Sequence, residues 1–257
     1  MQKDNQQDSP FLEILQNRTD GASALFYQFV ELSEDQTEEV VLAGLKACRS
    51  AFPIMAVWRH VLAQFEQSEC TLSDIATQFR KQTQDTINTG SVTLRQYQVI
   101  LTLSNSSVIR HAVTSAHTTL KVLCAESLPG GEGANQAKAL HESGIRATLV
   151  KDSDLPGRMQ KVQAIALGAD QWDLNEFINK VGSKNFVDYA ELEGIPVLVL
   201  AEGFKRVDQL PRPSSPPTQL ELMSNGKTKQ ETVFEIVAWR PNVRLISNTE
   251  VLIPFTL

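Results

Sequence analysis

From about Phe11 to Thr86 the apolar side chains recur at three- and four-residue intervals, as in Phe11, Ile14 and Leu15 and again in Leu25, Phe26, Phe29 and Val30. That is the period of a helix with one buried face, so this stretch predicts several amphipathic helices. Ser33-Glu34-Asp35-Gln36 has the form of a helix start, with Ser33 as cap and Val40, Val41 and Leu45 following on one face. A second start is expected at Thr71 or Ser73, with Asp74 in the first turn. Pro53 falls near the beginning of another helix, where its missing N–H costs little.

After Asn88-Thr89-Gly90, which reads as a turn, the pattern changes to short β-branched and leucine-rich runs. The predicted strands are Gln98 to Leu103, Leu120 to Cys124, Arg146 to Val150, Val162 to Leu167 and Ile195 to Ala201. These runs are continuously apolar rather than alternating, as in a parallel sheet covered on both faces. Ser106 to His117, Gly133 to Ser143 and Asn185 to Glu193 are the expected crossover helices. The fold class is therefore α/β: a helical N-terminal domain over residues 1–90, then a Rossmann-like, doubly wound, mostly parallel sheet over residues 91–257. Leu210 to Thr218, with four prolines, is expected to be an exposed loop, and Val233 to Val237 and Val243 to Ile246 to be extended.

Composition narrows the functional classes. The 257 residues are 42% hydrophobic and 21% charged, the mixture of a folded globular protein. Twenty-four Lys and Arg against 30 Asp and Glu give a net charge of −6, and no long basic run is present, which argues against direct DNA binding. Cys48, Cys70 and Cys124 are odd in number and widely spaced, so neither a disulfide framework nor a structural zinc site is expected. A polar start from Met1 to Pro10 and the lack of any apolar run of membrane-spanning length predict a cytoplasmic protein without a membrane role.

Ligands of doubly wound sheets collect beyond the carboxyl ends of the strands. Three loops there carry suitable residues. Ser104, Asn105, Ser106 and Ser107 open a helix whose amides can hold an anion. Glu126-Ser127-Leu128-Pro129-Gly130-Gly131-Glu132-Gly133 is a turn that lets backbone approach a ligand. Gly168-Ala169-Asp170, with Asn179-Lys180-Val181-Gly182-Ser183, supplies a carboxylate, an amide, an ammonium and a Gly-Ser turn. Each loop alone also reads as a helix cap or a plain turn; their joint placement points to a pocket. His60, His111, His117 and His141 fall in predicted helices without metal-ligand spacing, so no metal and no cofactor is expected. Cys124 reads as a buried hydrophobe and the three tryptophans as too scattered for base stacking.

The same loops resemble the family of the alpha, beta and delta subunits of translation initiation factor 2B, which also contains methylthioribose-1-phosphate and ribose-1,5-bisphosphate isomerases. Ile100 to Ser107 resembles its strand and hydroxyl-rich turn, Glu126 to Pro129 its Glu-Ser-Arg-Pro motif, Gly168-Ala169-Asp170 with Asn179 to Ser183 its most specific signature, and Ala51 to Ala56 a helical-domain motif. The resemblance implies a site of Ser104, Asn105, Ser106, Ser107, Glu126, Asp170, Asn179, Lys180, Gly182 and Ser183. In the isomerases it implies a cysteine and an aspartate as the acid and base of aldose–ketose conversion; here Asp170 keeps the aspartate, Ser104 stands at the cysteine position and Leu128 at the arginine position. A serine hydroxyl is too weak an acid to replace a thiol unaided. The resemblance thus implies a non-catalytic regulatory protein binding a sugar phosphate or nucleotide and pairing as a homodimer or with related subunits. The alternative is a sugar-phosphate isomerase with Asp170 as base.

Overall fold

The computed structural model describes residues 9–17, 21–67, 70–116, 119–211, 218–222, 228–248 and 251–252. Five helices come first: α1 (Leu12–Gln16), α2 (Ala22–Ser33), α3 (Glu38–Ala51), α4 (Ala56–Glu66) and α5 (Leu72–Leu94). Then follow β1 (Val99–Thr102), α6 (Ser107–Ser115), β2 (Lys121–Ala125), α7 (Gly133–Glu142), β3 (Arg146–Val150), β4 (Ala164–Gly168), β5 (Gln171–Trp172) and β6 (Glu176–Lys180). The chain closes with α8 (Ser183–Glu193), β7 (Val197–Leu200), β8 (Thr218–Leu222), β9 (Thr228–Thr232), β10 (Phe234–Ala238), β11 (Val243–Ile246) and β12 (Val251–Leu252).

The main sheet has the order β12-β11-β7-β4-β1-β2-β3, with every pairing parallel except β11 with β12. Its order reverses between β1 and β4, the crevice where sheets of this type bind ligands. Register explains why the strands read as unbroken apolar runs. Leu101, Ile165, Val197 and Val243 form a row across the sheet and pack with Val187 and Ala190 of α8 and with Phe177 and Trp239. Their chain neighbours Ile100, Ala164 and Leu198 face the opposite side, against Val108, Ile109, Ala112 and Val113 of α6 and Ile87 and Leu94 of α5. Both faces are therefore covered. A second sheet, β10-β6-β5, is antiparallel and holds the Asp170–Lys180 hairpin beside the main sheet's carboxyl edge.

The helical layer has a core of rings: Phe11, Phe26, Phe29, Phe52, Trp58 and Phe79. Phe11 stacks on Phe29 with centroids 4.1 Å apart. Phe204, which follows β7, enters this cluster and stacks on Phe79 at 4.1 Å. The helix start expected at Thr71 is present as a full capping box: Thr71 accepts from the Asp74 N–H while Asp74 accepts from Thr71.

Three expectations need correction. Asn88-Thr89-Gly90 is not a turn but part of α5; Gly90 is small because a Cβ there would lie 2.6 Å from Leu200 Cδ2, so the glycine lets the helix press on the sheet. The helix start read at Ser33 is displaced to Thr37, whose side chain accepts from the Val40 N–H, while the Ser33 hydroxyl donates back to Phe29 O at 2.7 Å inside α2. Leu210, read as exposed loop, is buried, and its N–H donates to Asp173 Oδ2 at 2.9 Å. Thr218, read as the end of that loop, opens β8, and residues 212–217 between lie outside the described residues, as do His117 and residues 1–8.

Candidate functional site

A cavity of about 650 Å³ lies between the helical layer and the carboxyl edge of the sheet. One side is polar and comes from the strand ends: Ser104, Asn105, Ser106 and Ser107 after β1, Glu132 before α7, Gly168 to Asp170 after β4, Asn179 and Lys180 of β6, and Lys205 after β7. The other side is largely apolar, with Phe52, Pro53, Ile54 and Met55 between α3 and α4, Ala22 of α2, and Val233 and Phe234 at the start of β10.

The loop after β1 is shaped by its neighbours. Ser104 adopts a left-handed backbone at φ 65, unusual for a residue with a side chain. Its N–H donates to Ser127 Oγ at 2.7 Å. Ser127 is itself left-handed, and its N–H and that of Leu128 donate to the two oxygens of Asp152 at 3.0 and 2.8 Å. The loops after β1, β2 and β3 are thus tied into one chain of hydrogen bonds. Ser106 caps α6 by accepting from the Ile109 N–H, which leaves the remaining first-turn amides without helix carbonyls to bond. Arg110 stands behind the loop, donating to Asn105 Oδ1 at 3.0 Å and to Gln136 Oε1 at 3.4 Å.

Both lysines of the wall are already paired. Lys180 is 3% exposed, and its Nζ donates to Glu132 Oε1 at 2.6 Å. The other oxygen of that carboxylate, Oε2, is buried without a hydrogen-bond partner. Lys205 Nζ lies 2.9 Å from Oε2 of Glu202, an ion pair without hydrogen-bond alignment. Glu202 is fully buried, and its Oε1 accepts from Ser23 of α2 and Thr83 of α5, each at 3.4 Å. Burial pulls the Lys205 ammonium down, but the carboxylates of Glu202 and Asp170 outweigh it and raise the group above its ordinary value. Burial pushes the Asp170 carboxyl up to about 6, with Lys205 working against the shift and Glu202 with it. Asp170 is held in place by its N–H, which donates to Ile178 O at 2.9 Å.

Of the residues singled out from sequence, Ser104, Asn105, Ser106, Ser107, Asp170, Asn179 and Lys180 come together in this wall. Ser183 supports it from behind: its hydroxyl donates to Lys180 O at 2.6 Å and accepts from Asn179 at 2.9 Å. Gly182 lies toward a second, smaller apolar cavity that Leu128, Phe186 and Tyr189 also line. Glu126 is placed by a backbone bond to Val150 O and is not among the residues lining either cavity. Leu128 is 55% exposed. Cys124 and Cys48 are buried and their thiols are pushed up to about 12 by desolvation. His60 Nε2 contacts Arg206 O at 2.7 Å, and His141 sits in the last turn of α7. Among the described residues no group of His, Cys, Asp and Glu could hold a metal ion, and no helix is long and apolar enough to cross a membrane.

Sequence reading missed Lys205 and gave Glu132 no role. The strand-end rule that found three loops applies equally to Ala201-Glu202-Gly203-Phe204-Lys205 after β7, and would have found Lys205.

A sequence model described as the Initiation factor 2 subunit family matches residues 47–233. The chain is 34% identical over 116 residues to translation initiation factor eIF2B subunit alpha of Caenorhabditis elegans, covering 44% of this chain and 38% of that protein. It is 30% identical over 120 residues to ribose 1,5-bisphosphate isomerase of Archaeoglobus fulgidus, covering 45% and 38%. These matches thus span less than half of each relative's length. Among solved structures, the translation initiation factor eIF-2B of Pyrococcus horikoshii OT3 superposes with a TM-score of 0.82 over 95% of this chain and 96% of that one, at 20% identity, a likeness of fold.

Proposed function

Because the chain belongs to the Initiation factor 2 subunit family, we propose that it is a regulatory, ligand-binding member rather than an isomerase, and that its cavity takes a sugar phosphate or a nucleotide. The family holds both translation factors and isomerases, so the site must decide between them. One observation carries the reading: Ser104 and Asp170 share the wall, and among the described residues that line the cavity there is no cysteine. Moving a proton between adjacent sugar carbons calls for an acid and a base that both titrate near the working pH. Ser104 offers only a hydroxyl, and Lys205 is held protonated by its carboxylates. The phosphate is placed at the first turn of α6, where unbonded amides and the helix dipole favour an anion.

The test is calorimetry with ribose 5-phosphate, ribose 1,5-bisphosphate, methylthioribose 1-phosphate and AMP, with product analysis of each mixture. Binding without ketose formation is the expected result; turnover would overturn it. The second reading, an aldose–ketose isomerase, is favoured by Asp170, whose raised carboxyl suits a general base. It requires that Asp170→Asn abolish turnover while the fold survives. The assembly that goes with the regulatory role is a homodimer or a pairing with related family subunits, and the apolar groove of Leu128, Leu155, Phe186 and Tyr189 supports it as the covered surface. Light scattering showing a monomer at all concentrations would remove the homodimer.

A further inference from the structure

The ion pair between Lys180 and Glu132 is unusual in where it sits. Lys180 is a nearly fully buried cation on the polar wall of the cavity, the position from which a phosphate group is ordinarily gripped. Glu132 has taken that place: its Oε1 is 2.6 Å from the ammonium. Its other oxygen is buried and unbonded, and a carboxylate oxygen left so costs free energy until a donor reaches it. The turn is built to permit this. A Cβ on Gly130 would lie 2.3 Å from Glu132 Oε1 and 2.7 Å from Oε2, so a side chain there would push the carboxylate out of this position. Lys205, the other cation of the wall, is matched by Glu202 in the same way. Neither ammonium therefore has an unopposed charge to offer a second anionic group, whereas the first turn of α6, among the described residues of the wall, has no carboxylate bonded to it.

We infer that Glu132 determines ligand selectivity: by holding Lys180 in an ion pair it withdraws that cation from ligands, so the cavity selects ligands with one phosphate and rejects those with a second phosphate near Lys180. This rests on the reading of the cavity as a phosphate-ligand site and narrows it to monophosphates. A second phosphate near Lys180 meets a carboxylate of like charge at close range, whereas an uncharged group there leaves the ion pair intact.

The experiment compares ribose 5-phosphate, AMP and ribose 1,5-bisphosphate by calorimetry on the wild-type protein, Glu132→Gln and Gly130→Ala. The wild type is expected to bind a monophosphate at least about tenfold more tightly than the bisphosphate, the scale of one charged hydrogen bond. Glu132→Gln frees Lys180 and should reverse that order. Gly130→Ala keeps every charge but displaces the carboxylate, and should move selectivity the same way; it and the wild-type comparison still decide the matter if Glu132→Gln fails to fold. A wild type that binds the bisphosphate as tightly as either monophosphate, or variants that keep the wild-type order, overturns the inference while leaving the cavity reading intact. No binding of any of the three to any of the proteins overturns the cavity reading and the inference with it.

Discussion

The helical layer is packed mainly with rings and the sheet mainly with branched aliphatic chains, and the two cores meet at shared elements. Ile75, Ala76 and Phe79 in the first half of α5 belong to the aromatic core, while Ile87 and Leu94 in its second half belong to the sheet core. Phe204 makes the reverse crossing, leaving the end of β7 to stack among the helices. Next to it in sequence is Lys205, on the cavity wall, paired to a glutamate that accepts bonds from α2 and α5. The contrast teaches that the cavity belongs to the seam and not to either layer.

The strongest way to break that picture is Phe204→Ala. Removing a buried ring costs about 3–5 kcal/mol, and this one is a tie between the layers. Variants retaining only Trp58, in the helical core, or only Trp239, beside the sheet, should report one coincident thermal transition in the parent and two separated ones with Phe204→Ala. Coincident transitions after the substitution would mean that α5 and the remaining contacts, such as Ser23 to Glu202 and His60 to Arg206, suffice to couple the layers.

Next in size is the pH dependence carried by Asp170. Its folded value of about 6 lies above the ordinary 3.8. The native state therefore binds this proton more tightly than the unfolded chain does, and the associated stability is fully present below pH 3.8 and lost as pH rises through about 6. At 1.36 kcal/mol per unit the swing is at most about 3 kcal/mol. Asp170→Asn should remove it, so denaturation midpoints of parent and variant should diverge between pH 4 and 6, with the variant gaining relative to the parent as pH rises. Parallel curves would place the carboxyl in a wetter setting than the seam provides.

Thr71→Ala acts on the helical layer alone by deleting the capping box of α5, for about 1 kcal/mol. Chemical denaturation should show that loss without a change in ligand affinity. The smallest effect is chemical. Cys70 is partly exposed while Cys48 and Cys124 are buried with thiols pushed to about 12, so a thiol reagent should label one cysteine per native chain and three after unfolding.

The sheet was legible because its strands are short apolar runs with no competing periodicity; Arg146 to Val150 falls where the pattern put it. The capping box at Thr71 was legible because its partners lie three residues apart. Gly90 misled because a glycine inside a helix carries the same local signal as a turn, and only the approach of Leu200 from far along the chain explains it. The site divides in the same way. Ser104 to Ser107, Asp170 and Lys180 could be placed by the rule of strand ends, whereas the pairing of Lys180 with Glu132 joins residues 48 positions apart and exists only once the end of β6 meets the turn before α7.

The length of α5 has a mechanical consequence. Its 23 residues make a rod about 35 Å long at 1.5 Å per residue, anchored at one end among rings and at the other against β7 and α6. Rotating such a rod by roughly 3° about one anchor carries the other by about 2 Å. Thr83, at its middle, bonds the glutamate that holds Lys205, so the same rotation about either anchor shifts that contact by about 1 Å and is felt as a change in the shape of the pocket.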